Sequence, residues 1–250
     1  MFSTYGWALY ARETRRFRKL WKDTLFNPIV SVGLYLLVFG VLIGKQQIGN
    51  TNALAFVYSG LLGMVLVNGA FSNPGFALVI ARNLGTLPDL QLAPIRSWVI
   101  GLAYALAAMT RAVITILLAV ALTAWWVPGL TLAHPFLLLP IILLNGLLFG
   151  FLGVIFGMKA RGFESLQIVT TFVLQPMIFL AGVFYPVSRL PAPWNTISLF
   201  NPLHHTINLV RYAILGYQDI NPWISFAVVG GLFVVAGAVM SSIVSKELKR

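Results

Sequence analysis

The sequence predicts an all-α integral membrane domain. It is expected to hold six transmembrane helices, an N-terminal interfacial amphipathic helix and a broken re-entrant segment between spans five and six. Three observations predict this. Hydrophobic residues fill 59% of the 250 positions and charged residues only 9%, against about 25% charged in soluble domains. The apolar residues gather into repeated runs of the length a helix needs to cross a bilayer, about 20 residues. The charges sit at the ends of those runs, where they set orientation.

Six runs qualify, at 27–44, 53–73, 98–125, 136–157, 166–185 and 222–244. Pro28 suits the opening turn of the first. With both termini inside, thirteen Lys and Arg residues fall on the cytoplasmic side. Lys45, Arg189 and Arg211 fall outside, and Arg111 lies within a span. Such a bias favours an even number of spans with both ends in the cytoplasm. The N-terminal segment lacks a short apolar core with a cleavage site, so no cleavage is expected. Cysteine is absent, which excludes disulfides, thiol catalysis and cysteine metal sites. The net charge of +11 forms no basic stripe on a separate soluble domain, which argues against nucleic-acid binding.

The first 26 residues read as an interfacial helix. At 100° per residue, Trp7, Tyr10, Phe17, Trp21 and Leu25 share one arc, with Arg12, Arg15, Arg16, Lys19 and Lys22 opposite. Aromatic anchors and a basic face suit the headgroup region. The helix serves as a topology anchor, as a lever on the first span, or as both.

Residues 74–97 are too long for a tight helix connection and too polar and broken to span. Asn83, Gly85 and Pro88 punctuate the segment. Thr86 is positioned to cap a short helix with Asp89 in its first turn, and Leu87, Leu90 and Leu92 give that helix an apolar side. It is a docking peg for another protein or a helix lying on the membrane. Residues 158–165, with Arg161 and Glu164, are a second candidate contact.

After Tyr185, Pro186, Pro191, Pro193 and Pro202 break the helix while Trp194, Ile197, Leu199 and Phe200 keep it amphipathic. Irregular backbone at membrane depth needs protein or a wet cavity to satisfy it. The segment 186–215 is therefore expected to be the outer re-entrant region.

Polar groups within the spans leave two readings open. Arg111 is either a ligand for anionic cargo or a structural clamp to helix carbonyls. Gly146, Gly150, Gly153 and Gly157 run along the fourth span and permit close helix packing. His134, His204 and His205 are expected to make interfacial hydrogen bonds rather than a metal site. Gly40–Gln46 imitates a phosphate loop but lacks the Lys-Ser/Thr pair. Neither a nucleotide-binding motif nor a credible catalytic constellation is found.

The run Gly182-Val-Phe-Tyr-Pro186, with Leu190-Pro191, Trp194, Asn201-Pro202-Leu203 and Arg211, resembles the closing signature of type-2 ABC exporter permeases. Leu92-Ala93-Pro94 extends the likeness. Among the branches, it looks most like small bacterial permeases related to nodulation-factor, drug and polysaccharide exporters. The resemblance implies a single permease domain in the bacterial inner membrane, dimeric with itself or with a sister chain. It implies two cytoplasmic ABC ATPase subunits as partners, holding the ATP and Mg, with no cofactor on this chain. Thr86, Leu87, Asp89, Leu90, Leu92, Arg161 and Glu164 would then couple to the ATPase. This chain has Pro88-Asp89 where relatives usually carry Glu. Arg111, Phe172, Phe179, Phe184, Tyr185 and Trp194 are candidates for the translocation path or outer gate. The expected cargo is an amphipathic drug, lipid or glycolipid. A lipid-linked polysaccharide exporter and a membrane scaffold or membrane enzyme without a motor are the alternatives.

Overall fold

The computed structural model describes residues 4–19, 21–44, 46–87 and 95–247, with side chains at 17–19 and 21–25 left aside. Its helices are α1 (Thr4–Lys19), α2 (Trp21–Ile43), α3 (Ala53–Asn83), α4 (Ser97–Thr123) and α5 (Pro135–Lys159). They continue as α6 (Phe163–Val169), α7 (Gln175–Leu180), α8 (Trp194–Leu199), α9 (Pro202–Leu215) and α10 (Pro222–Glu247). A π-helical turn at Thr170–Leu174 joins α6 to α7, so 163–180 is one continuous helical span. A two-residue hairpin, Gln47–Ile48 with Thr51–Asn52, links α2 to α3; Gly49 takes the left-handed conformation at its tip, with φ 61°.

Among the described residues, six helices are long and apolar enough to cross a membrane, and the predicted all-α membrane class holds. α3 is the hub: in its most apolar 18-residue stretch 83% of residues are buried, whereas in those of α2, the 163–180 span and α10 only 11%, 17% and 22% are. Those three therefore present most of their apolar surface outward. α3 and α4 run antiparallel: the Tyr58 and Thr123 hydroxyls meet at 3.0 Å, and Gly69, later in α3, faces Ala112, earlier in α4.

The glycine stripe of α5 divides its work between two neighbours. Gly146 and Gly150 face Met109 and Ala105 of α4, while Gly153 and Gly157 face Phe71, Pro74 and Gly75 of α3. A Cβ on Gly157 would lie 2.7 Å from the Gly75 backbone. The two backbones touch, as small residues allow between membrane helices.

That contact accounts for a correction. The second span does not end at 73: α3 carries Pro74 inside it and runs to Asn83. Pro74 packs on Gly153, and a neighbouring helix makes an internal proline tolerable. Pro28 likewise sits inside α2, which begins at Trp21, rather than in an opening turn. The fifth span ends at Leu180, and Gly182 turns the chain with φ 81°.

An N-terminal helix forms, but over Thr4–Lys19 rather than the first 26 residues, because the helix from Trp21 onward is already α2; its buried edge is Gly6 and Leu9. It packs along α4, where the hydroxyls of Tyr10 and Thr110 meet at 3.0 Å and Arg12 donates to the Tyr104 hydroxyl at 3.0 Å. Trp7 stacks on Tyr10 at 5.0 Å and stays exposed. The expected positions of Phe17, Trp21 and Leu25 on its arc lie outside the described side chains.

Candidate functional site

Three arrangements carry candidate function, and the first is a cavity of about 550 Å³ among α2, α3, α4 and the start of α7. Asn27, Ser31 and Tyr35 come from α2, Asn68, Ser72 and Asn73 from α3, Arg111 and Thr115 from α4, and Gln175 from α7. The α3 residues lie near the middle of that 31-residue helix. A smaller cavity of about 230 Å³ shares Asn73 and Arg111 with it and reaches Glu13 and Arg16 on α1. Arg111 thus stands between a chamber inside the spans and one beneath the N-terminal helix. Polar side chains at such depth are costly and face protein or water.

The second arrangement holds the chain after the fifth span. α9 is buried along most of its length. Asn201 caps it through the Leu203 amide at 3.0 Å and donates its own amide to the Met177 carbonyl at 2.6 Å. Pro202 then occupies a first-turn position where its missing N–H costs nothing. Arg211, fully buried, lies 3.6 Å above the Phe56 ring. It donates to the Gly182 carbonyl at 2.9 Å and lies 3.4 Å from Asp219. Burial pulls its guanidinium down to about 10 against the pull of Asp219, so it stays charged at neutral pH. Burial and Asp219 together push the Tyr217 hydroxyl up, and that hydroxyl donates to Asp219 at 3.2 Å. Gly60 of α3 leaves room for this assembly; a Cβ there would lie 2.5 Å from the Val183 carbonyl oxygen.

The turn fixed by Arg211 leads into an aromatic group. Phe184 stacks on Phe39 at 5.0 Å, tilts against Tyr35 at 5.4 Å and stacks on Phe179 at 6.0 Å. The Tyr185 hydroxyl donates to the Phe179 carbonyl at 2.7 Å. Tyr35 therefore belongs both to this group and to the wall of the larger cavity.

The third arrangement ties two helix ends. Arg82, in the last turn of α3, donates to the carbonyls of Met158 and Ala160 at the end of α5. A cation over orphan helix-end carbonyls is favourable on both counts. The connections after α3 and after α5 are therefore joined at their roots.

Phe179, Phe184 and Tyr185 come together, with Arg111 on the cavity wall nearby in the same bundle. Phe172 is 73% exposed in a separate groove with Phe76, Phe163 and Glu164. Trp194 opens α8, exposed, and among the described residues makes no ring contact with the Phe184 group. Arg161 and Glu164 are exposed around the start of α6. Thr86 does not simply open a new helix: its hydroxyl and amide both donate back to the Ala81 carbonyl, closing α3. Leu87 packs against the core. Asp89, Leu90 and Leu92 lie outside the described residues.

His204 and His205 are buried within the fold and hydrogen-bonded. The His205 ring meets the Ser225 hydroxyl at 3.1 Å and the Leu199 carbonyl at 2.9 Å, and His204 meets the Ala181 carbonyl at 3.1 Å. Three further features escaped sequence reasoning: the Arg211–Asp219 pair, the Arg82 clamp and the polar wall of α3. Only the last left a readable trace, in the i, i+4 spacing of Asn68 and Ser72.

Six apolar helices among the described residues, with a polar chamber between them, define the chain as a multi-pass membrane protein. Comparison with known proteins specifies the class. The family model for the ABC-2 type transporter matches residues 5–215. The inner membrane transport permease YadH of Escherichia coli strain K12 is 31% identical over 232 residues, covering 92% of this chain and 90% of that protein. Nodulation protein J of Rhizobium leguminosarum bv. viciae is 33% identical over 112 residues, covering 45% of this chain and 43% of its own length. The chain belongs to the ABC-2 type transporter permease family.

Proposed function

We propose that this chain is the permease subunit of an ATP-binding-cassette exporter in the bacterial inner membrane, with both termini cytoplasmic. It moves an amphipathic drug, lipid or glycolipid outward, using ATP and Mg held by two separate ATPase subunits. A second permease copy completes the membrane part. The family and the printed name of the Escherichia coli relative support transport and location. The charge bias of the sequence supports the orientation.

The observation that carries the coupling is the Arg82 clamp. It unites the connection after α3 with the one that follows α5, the two segments expected to meet the ATPase. A push on residues 86–97 or 158–165 then reaches α3 and α5 together, and α3 brings Asn68, Ser72 and Asn73 to the chamber's polar wall. On this reading 186–215 is the outer re-entrant region, and the Phe179–Phe184–Tyr185 group gates the exit. Arg211 holds the gate's base in place.

The test is purification of the permease from native membranes under mild detergent. An ATPase subunit is expected to accompany it, with hydrolysis stimulated by cargo. Substitutions at Asp89 and Leu90 are expected to leave the permease folded while separating hydrolysis from transport. A permease that never retains an ATPase, or transport indifferent to those substitutions, would defeat the reading.

A further inference from the structure

We infer that the smaller cavity, between α1, α3 and α4, is a binding site for a phosphate anion, filled by the headgroup of a resident anionic phospholipid. The inference needs only that the helices span a membrane; it does not rest on ATP-driven transport or on any cargo. Depth places the site. α3 has 31 residues and the α4 span 30, each about 45 Å at 1.5 Å per residue, against a hydrocarbon core of about 30 Å. The hairpin marks one boundary, where α2 ends at Ile43 and α3 begins at Ala53. Asn73 stands about 30 Å along α3 from there. The apolar stretch of α2 begins at Phe26, and Asn27 shares the larger cavity with Asn73. The opposite boundary therefore crosses at Asn27 and Asn73. Arg111 lines both cavities with Asn73, so it stands at the level of the lipid phosphates. α1 runs there too, with Tyr5 and Trp7 exposed, as aromatics at a membrane boundary are.

The groups choose an anion. Glu13, Arg16, Asn73, Tyr104 and Arg111 line this cavity of about 230 Å³. Among the described residues lining it, Glu13 is the one carboxylate. Arg12 already holds that carboxylate through Nε at 3.2 Å and Nη2 at 3.1 Å, and Arg16 lies 3.7 Å from it. Three guanidiniums against one carboxylate leave a surplus of two positive charges. Guanidinium groups only donate, in a fork that matches phosphate oxygens. Tyr104 accepts from Arg12 at 3.0 Å and keeps its own proton to give. The Asn73 amide makes no side-chain hydrogen bond among the described residues and adds a second neutral donor. A phosphodiester, which only accepts, fits among these donors, as basic pockets between membrane helices hold anionic headgroups. A zwitterionic headgroup brings a cation of its own into the same positive field and fits worse. Phe76, Ala77 and Ile80 on the remaining wall suit the glycerol and the first acyl carbons. The headgroup ties Arg16 of α1 to Asn73 of α3 and Arg111 of α4.

The experiment is native mass spectrometry of the full-length permease in detergent, titrated with phosphatidylglycerol or with phosphatidylcholine of the same chains. One tightly held phosphatidylglycerol per permease is expected, preferred over phosphatidylcholine by about tenfold, the worth of one charge-assisted hydrogen bond. Arg16→Gln and Arg111→Gln should each weaken it by a similar factor. Asn73→Leu, which removes no charge, should weaken it severalfold. Arg15→Gln is the control: it removes the same charge from an exposed position on the same helix and should leave retention unchanged. Phosphatidylglycerol should also raise the thermal midpoint of the wild type and of Arg15→Gln, and not that of Arg16→Gln; this holds the test together should Arg111→Gln fail to fold. Inorganic phosphate separates the sources. Displacement of the lipid by millimolar phosphate assigns the site to a soluble phosphate, and retention through it assigns the site to a lipid headgroup. Equal retention of the two lipids, no retained lipid, or equal weakening by Arg15→Gln and Arg16→Gln would overturn the inference. Failure to find an ATPase partner would leave these outcomes untouched, so the two readings fail separately.

Discussion

Arg211 and Asp219 face each other at 3.4 Å across the end of α9, with side-chain exposures of 0% and 6%. The pair sits where four pieces of chain converge: α9, the Gly182 turn, Phe56 of α3 and the loop before α10. The carbonyls of Gly182 and Val183 both accept from Nη2 of Arg211, while its buried Nε has no hydrogen-bond partner among the described residues. This end of the bundle is thus organised around the buried Arg211 cation.

Removing that cation should be severe. Arg211→Leu leaves Asp219 buried without its charge, a loss of about 3–5 kcal/mol on the scale of broken buried pairs. Arg211→Lys should recover only part, because lysine lacks the planar fork and stacks less well on Phe56. Thermal unfolding in detergent checks both. A double change, Arg211→Met with Asp219→Leu, is expected to be milder than Arg211→Leu alone.

The contact between α3 and α5 predicts a contrast between glycines. Gly153→Ala would drive a methyl group into the Phe71 carbonyl and Pro74, at a cost of about 1–3 kcal/mol for overpacking. Gly230→Ala meets nothing within 4 Å and should be neutral or slightly stabilising through helix propensity. Comparing the two thermal midpoints decides whether the stripe is a packing surface.

Arg82→Ala should loosen the joint between the ends of α3 and α5. Hydrogen bonds from a charged donor are worth about 1.5–3 kcal/mol, so some stability is lost. The diagnostic effect is a fall in cargo moved per ATP hydrolysed, with ATPase binding retained. Measuring transport and hydrolysis in the same vesicles separates this from simple unfolding.

Burial lowers the His205 pKa from its ordinary value, against the Leu199 carbonyl that favours the charged ring. The sign follows from the depressed folded value. Stability is full above the unfolded pKa of about 6.5 and falls as pH drops through it, because the unfolded chain takes up the proton first. His204 shifts in the same direction for the same reason. Thermal midpoints between pH 8 and pH 5 should decline, and His205→Gln should flatten part of that decline.

The spans were legible because apolar length is a local property, summed along the chain. Their ends were less so. Pro74 and Pro28 read as boundaries, and only the packing of Pro74 on Gly153 explains why α3 continues. The closing signature was visible as residues but not as mechanism. Asn201 serves as a cap and a tie to Met177, and Arg211 as a buried hub, through partners 24 and 29 residues away in sequence. Periodicity carries no information at that range. The polar wall of the chamber was hidden differently: Asn68, Ser72 and Asn73 sit in a helix that still has an 18-residue stretch apolar enough to cross a membrane. Averaging over a window conceals the minority that faces inward.

The most direct test uses proteoliposomes holding the permease with its cognate ATPase, and follows a labelled glycolipid from the ATP-accessible leaflet to the other side. The account predicts movement that needs both subunits and hydrolysable ATP, and that falls with Arg82→Ala. Equal movement by the permease alone, or with an ATPase unable to hydrolyse ATP, would contradict it.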